Sequence, residues 1–168
     1  MIAALVVTLV FALPLLAAAC TDFWSMKIPN QISLLLLAGF FVTLPLTWQG
    51  VEVLGEHMLV GLVFFVAGFA MFAFGWIGGG DAKLMAAVSI WFGWGDVSDF
   101  IFYTTLFGAA LGIFLLLGDK MAPIRLRTSE AGMRLFQGGK DMPYGIALAA
   151  GGLFVWPTSA IGSALAGL

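Results

Sequence analysis

"GWIGGGDAKLMAA", residues 75–87, is the stretch on which the reading of this chain turns. Three consecutive glycines, Gly78, Gly79 and Gly80, weaken any helix that contains them. An acid, Asp81, follows at once, and a base, Lys83, two residues later. Both sit between apolar runs in a chain with little charge. Charged residues make up 10% of it and hydrophobic ones 62%, with a mean hydropathy of +1.09. Soluble domains carry about 25% charged residues, so this composition belongs to a membrane protein. The 168 residues are enough for a single integral membrane domain, residues 1–168, and no more. A net charge of −2 argues against nucleic acid as a partner. The lone Cys20 forms no internal disulfide, so it leaves the redox compartment unread.

Helices that cross a bilayer need about 20 apolar residues. Six apolar runs stand out, at roughly 2–20, 32–48, 57–77, 82–95, 100–118 and 143–162. The fourth is short enough to be re-entrant, and charge placement decides against that. Lys and Arg concentrate in cytoplasmic loops. With six crossings, Lys27, Lys83 and the five bases Lys120, Arg125, Arg127, Arg134 and Lys140 all fall on one side. Glu52, Glu56, Asp96 and Asp99 fall on the other. If the fourth run did not cross, those five bases would move to the opposite face. The expectation is therefore an all-α polytopic membrane protein with six transmembrane helices and both termini on the non-cytoplasmic side. "LLAAAC", residues 15–20, looks like a lipoprotein cleavage site, but no base precedes it as such signals require. The first run is read as a true span. The polar stretch from Asp119 to Met142 suits either a helix lying on the inner leaflet or a solvated loop.

Elimination narrows the chemistry. One histidine and one cysteine cannot build the His/Cys zinc sites of metalloenzymes. "GEHMLVG" contains no HExxH, and the sequence has no GxSxG elbow, no P-loop and no GxGxxG fingerprint. No metal or cofactor is expected. Carboxylates remain. Asp22 follows the first run immediately in "CTDFWSMKIPNQISLL", and Asp81 follows the third. Span parity places both on the cytoplasmic side at similar depth. Two close carboxyls share a proton, so one can act as base toward water while the other protonates a scissile carbonyl. Glycines before the acid let the backbone turn and a substrate strand approach. Plainer roles are available for each residue. Asp81 can cap the fourth helix and Asn30 the second, Asp22 can be an interfacial acid, and Lys83 an inner-face anchor. Gly61, Gly68 and Gly75 recur every seven residues, which suits close helix packing.

Three motifs carry a resemblance to a known family. "GGGDAKL" is similar to the GxGD-x-K-L motif of the prepilin peptidases, the GxGD class of membrane aspartic proteases. "DFWSMKIPN" resembles the family's first-aspartate region, with Asp22 seven residues before Pro29 and Asn30. "MPYGIALAAGG", residues 142–152, resembles its P-Y/F-G entry to the last helix, here Pro143, Tyr144 and Gly145. The resemblance implies that Asp22 and Asp81 are the catalytic pair. It also implies that Gly78 and Gly80 fill the motif's glycine positions, with Lys27 and Lys83 nearby. The implied activity is removal of the short basic leader from type IV prepilins and pseudopilins at the cytoplasmic edge of the bacterial inner membrane. The implied partners are the precursor's hydrophobic helix and membrane lipid; oligomeric state stays open. A basic leader suits a carboxylate-bearing mouth. Longer members carry a domain with paired cysteines and also methylate the product. This chain instead looks like the short, peptidase-only branch of tight-adherence (Flp-type) pili. Preflagellin peptidases share the two aspartates. Presenilin-like proteases share GxGD but lack the D…IPN segment. From other classes, a small proton-coupled transporter or channel subunit also uses buried acids and broken helices, and a structural assembly partner would use the acids only as caps.

Overall fold

The computed structural model describes residues 1–121 and 142–167. Among them every regular element is helical: α1 Ile2–Ser25, α2 Asn30–Thr47, α3 Val51–Ala73, α4 Gly79–Ser89, α5 Gly93–Met121 and α6 Tyr144–Val155. A 3-10 turn, Trp156–Thr158, then leads to the short α7, Ala160–Ala166. The stretch from Asp119 to Met142, read above as an inner-leaflet helix or a loop, falls almost wholly outside the described residues.

Four helices are long and apolar enough to cross a membrane: Ile2–Ser25, Asn30–Thr47, Val51–Ala73 and Gly93–Gly118. Their outer faces expose large apolar side chains such as Leu13, Leu34, Val42, Phe69 and Phe114, the surface expected of a multi-pass membrane protein. The fourth and sixth apolar runs take a different form from the continuous spans expected. Residues 82–95 are not one helix. The 11 residues of α4 rise only about 16 Å against a hydrocarbon thickness of about 30 Å. The chain then turns through residues 90–92, and α5 already begins at Gly93. The last run is likewise divided among α6, the 3-10 turn and α7.

What α4 lacks in length it makes up in burial. It packs against α2, α3, α5 and α6, and Leu84, Ala87, Val88, Ser89 and the following Trp91 and Phe92 are buried. Small residues make that packing close. Gly61 of α3 faces Ile90, and Gly68 lies against the Ala82 backbone and Met85, as a seven-residue glycine spacing predicts. Gly75 departs from that pattern, because it sits in a turn at φ +73 with nothing packed against it. At the far end of α4, Phe11, Trp91 and Trp156 pack together, with Phe11 and Trp156 stacked at 4.4 Å. Each indole is tied down: Trp91 donates to the Leu36 carbonyl at 3.2 Å and Trp156 to Thr8 Oγ1 at 3.1 Å. His57, the single histidine, is buried with Nδ1 2.7 Å from the Ile90 carbonyl.

These contacts fix direction. Asp96, in the first turn of α5, accepts the Ala160 N–H at 2.7 Å, so the segments after α4 and after α6 meet at one end of the bundle. At the other end the starts of α4 and α6 come together beside the end of α1. The two short helices therefore run side by side in the same direction, antiparallel to α1.

Candidate active site

α1 continues to Ser25, so Asp22 lies in its last turns rather than beyond it as the hydropathy suggested. The helix stops at Met26, whose left-handed backbone (φ 51) turns the chain and whose N–H donates to the Asp22 carbonyl. The Asp22 side chain is 5% exposed. Its Oδ2 accepts the Gly145 N–H at 2.8 Å. Gly145 is the second residue of α6, where backbone N–H groups have no partner inside the helix. A carboxylate from α1 thus caps a helix that begins 122 residues further on in sequence (144 − 22), and the positive end of that helix favours its charge.

Asp81 occupies the third position of α4, after an N-cap at Gly78. It is not the N-cap that its sequence position allowed. The Gly78 N–H lies against its carboxyl, the return contact of a capping box. The other oxygen, Oδ1, is buried with no hydrogen-bond partner. Burial pushes the Asp81 carboxyl up to about 7; the Asp22 charge pushes the same way, and the Gly78 and Gly145 N–H groups oppose both. An unpartnered buried carboxyl oxygen is expensive unless the group holds a proton.

Asp22 and Asp81 line one cleft of about 780 Å³. Its other walls are mostly apolar, with Phe64, Met71, Met85, Phe100 and Ile101 among them. Tyr144 also lines it, its ring packed against Gly108 of α5.

The glycines are required for space. A Cβ at Gly78 would stand 2.8 Å from Asp81 Oδ2, and one at Gly145 would stand 2.8 Å from Asp22 Oδ2. Gly78 itself has an ordinary extended backbone (φ −69, ψ 148). The positive φ that turns the chain belongs to Gly75. A Cβ at Gly80 would stand 3.1 Å from Ile28 Cβ, and one at Gly145 would stand 2.6 Å from Ile28 Cδ1. Ile28 is therefore the wedge between the starts of α4 and α6, a role that spacing did not reveal. Its one legible signal is an apolar residue between a base and a proline.

The remaining candidates separate. Pro143 is the buried N-cap of α6 and Pro29 the N-cap of α2. Lys27 is exposed on the connection between α1 and α2. Asn30 makes no cap hydrogen bond; it accepts from Lys83 Nζ at 3.0 Å. Lys83 and Asn30 line a second cleft on another side of α4 and take no part in the walls of the first. Among the described residues no three His, Cys, Asp or Glu side chains gather as metal ligands.

Two carboxyls thus line one largely apolar cleft in a helical chain with four helices able to cross a membrane. The model of the type IV leader peptidase family matches residues 9–113, and the chain belongs to that family. The match includes Asp22, Asp81 and Ile28. No curated protein and no solved structure matches the chain.

Proposed function

We propose that this protein is an aspartic endopeptidase that removes the basic leader from type IV, Flp-like prepilins and pseudopilins. The observation that carries the proposal is the shared cleft. Asp22 is fixed by the Gly145 N–H, and Asp81, with one oxygen buried and unpartnered, lines the same space. In this scheme the proton of the pair resides on Asp81, the carboxyl pushed up to about 7. Ionised Asp22 takes a proton from water as the water attacks the scissile carbonyl. Asp81 gives its proton to the carbonyl oxygen; the tetrahedral intermediate then collapses as Asp22 passes its newly gained proton to the leaving amine and Asp81 takes one back from the diol. Water is the nucleophile, and no covalent enzyme intermediate or metal is involved. The apolar walls of the cleft suit the start of the precursor's hydrophobic helix.

Six crossings of the bacterial inner membrane, with both termini outside and the pair facing the cytoplasm, remain the topology we propose. That rests on the charge distribution, which puts every base on one side. Methylation of the product is not part of the proposal.

Co-expression with a prepilin substrate, followed by gel analysis of precursor size, tests the function. Asp22→Asn and Asp81→Asn should each abolish processing while the protein still inserts. Processing that survives in either variant would refute the assignment. A proton-coupled transporter would leave precursor length unchanged even with the wild-type protein.

A further inference from the structure

The second cleft, of about 520 Å³, lies between α2, α3 and α4. Its polar lining consists of Asn30, Ser33 and Lys83. Lys83 Nζ donates to Asn30 Oδ1 and pairs with no carboxylate among the described residues. That contact uses the amide's oxygen, so both N–H groups of the Asn30 amide stay available. Ser33 is 6% exposed, and its hydroxyl makes no hydrogen bond to any described residue. The three side chains therefore present spare donors and one uncompensated positive charge, with no acid among the cleft's lining residues. This is a set of groups that an anion would satisfy.

The rest of the lining is apolar. Leu34, Leu62 and Phe65, exposed by 61%, 59% and 54%, open the cleft to the surface that lipid would cover. Asn30 is the first residue of α2, a candidate span, so the donors stand at the end of a membrane helix. That is headgroup depth, with the apolar walls running toward the acyl region. We propose that this cleft binds one anionic phospholipid, its phosphate on Lys83, Asn30 and Ser33 and an acyl chain along Leu34, Leu62 and Phe65. The site is separate from the aspartate cleft, and its test involves no cleavage.

Thermal unfolding of the purified full-length protein in detergent micelles, titrated with phosphatidylglycerol, phosphatidylcholine or inorganic phosphate, decides the matter. Phosphatidylglycerol should raise the unfolding temperature saturably, whereas phosphatidylcholine and free phosphate should not. Lys83→Gln should weaken the phosphatidylglycerol effect roughly tenfold, and Lys83→Arg should largely retain it. Ser33→Ala, which leaves the Lys83–Asn30 bridge intact, should weaken it by a factor of about three, and keeps the test open if Lys83→Gln does not fold. Equal responses to the two lipids would overturn the proposal, as would indifference to the substitutions. So would saturation by free phosphate.

Discussion

The two clefts flanking α4 differ in kind although two residues of one helical turn supply their key charges. Asp81 faces the larger cleft and Lys83 the other. Two positions along a helix are about 200° apart around its axis, so adjacent motif residues address opposite sides. On the Asp81 side the charged groups are two acids, each with a backbone N–H against its carboxyl. On the Lys83 side the polar groups are donors without an acid. A linear motif can therefore combine residues that serve different sites, and proximity in sequence is no guide to joint action.

Several experiments would break or sharpen that contrast. The largest effect is expected from the aspartates themselves, where loss of an acid–base group lowers cleavage by about 10²–10⁴-fold. Gly145→Ala comes next. Its Cβ would meet Asp22 Oδ2 at 2.8 Å and Ile28 Cδ1 at 2.6 Å, so the carboxyl must move. Displacement of about 1 Å can reduce a rate 10²-fold; the loss should appear in the rate of precursor processing, with the protein still present in the membrane. Gly95→Ala, at a glycine with open space around it, is the matched control.

The pH profile follows in size. Asp81 is raised to about 7, so it is protonated below that pH and ionised above it. A mechanism that needs its proton should slow as pH rises through 7, by about tenfold per unit well above it. A rate still climbing with pH above 8 would assign the proton elsewhere. The smallest effect belongs to the packing side of α4. His57→Ala leaves the buried Ile90 carbonyl without its 2.7 Å partner and should lower stability by about 1–3 kcal/mol in a thermal unfolding measurement. Processing by the folded fraction should persist, since His57 is remote from the aspartate cleft.

Much of the candidate site was legible in the sequence. Asp22 and Asp81 stood out because a membrane chain rarely tolerates acids beside its apolar runs, and the glycines before Asp81 marked a close approach. The reason for the closeness differed from expectation. Gly78 makes room for a carboxyl oxygen, and the turn is made at Gly75. Asn30 read as a helix cap but bonds to Lys83, 53 residues away, because a long flexible cation reached it across the packed helices. Ile28 was overlooked because a wedge is defined only by what it separates. The fourth run misled on length, because hydropathy counts apolar residues and cannot see the three-residue turn that divides them.

Composition and hydropathy by themselves determined that this chain is a helical membrane protein, and its motifs singled out the two acids. Those properties are written residue by residue and need no partner. The tertiary structure alone decided that α4 is a short buried helix, that Lys83 turns from the site, and that Asp22 is held by Gly145. Each depends on which backbone group meets which side chain after packing, and segments more than a hundred residues apart encode no such pairing locally.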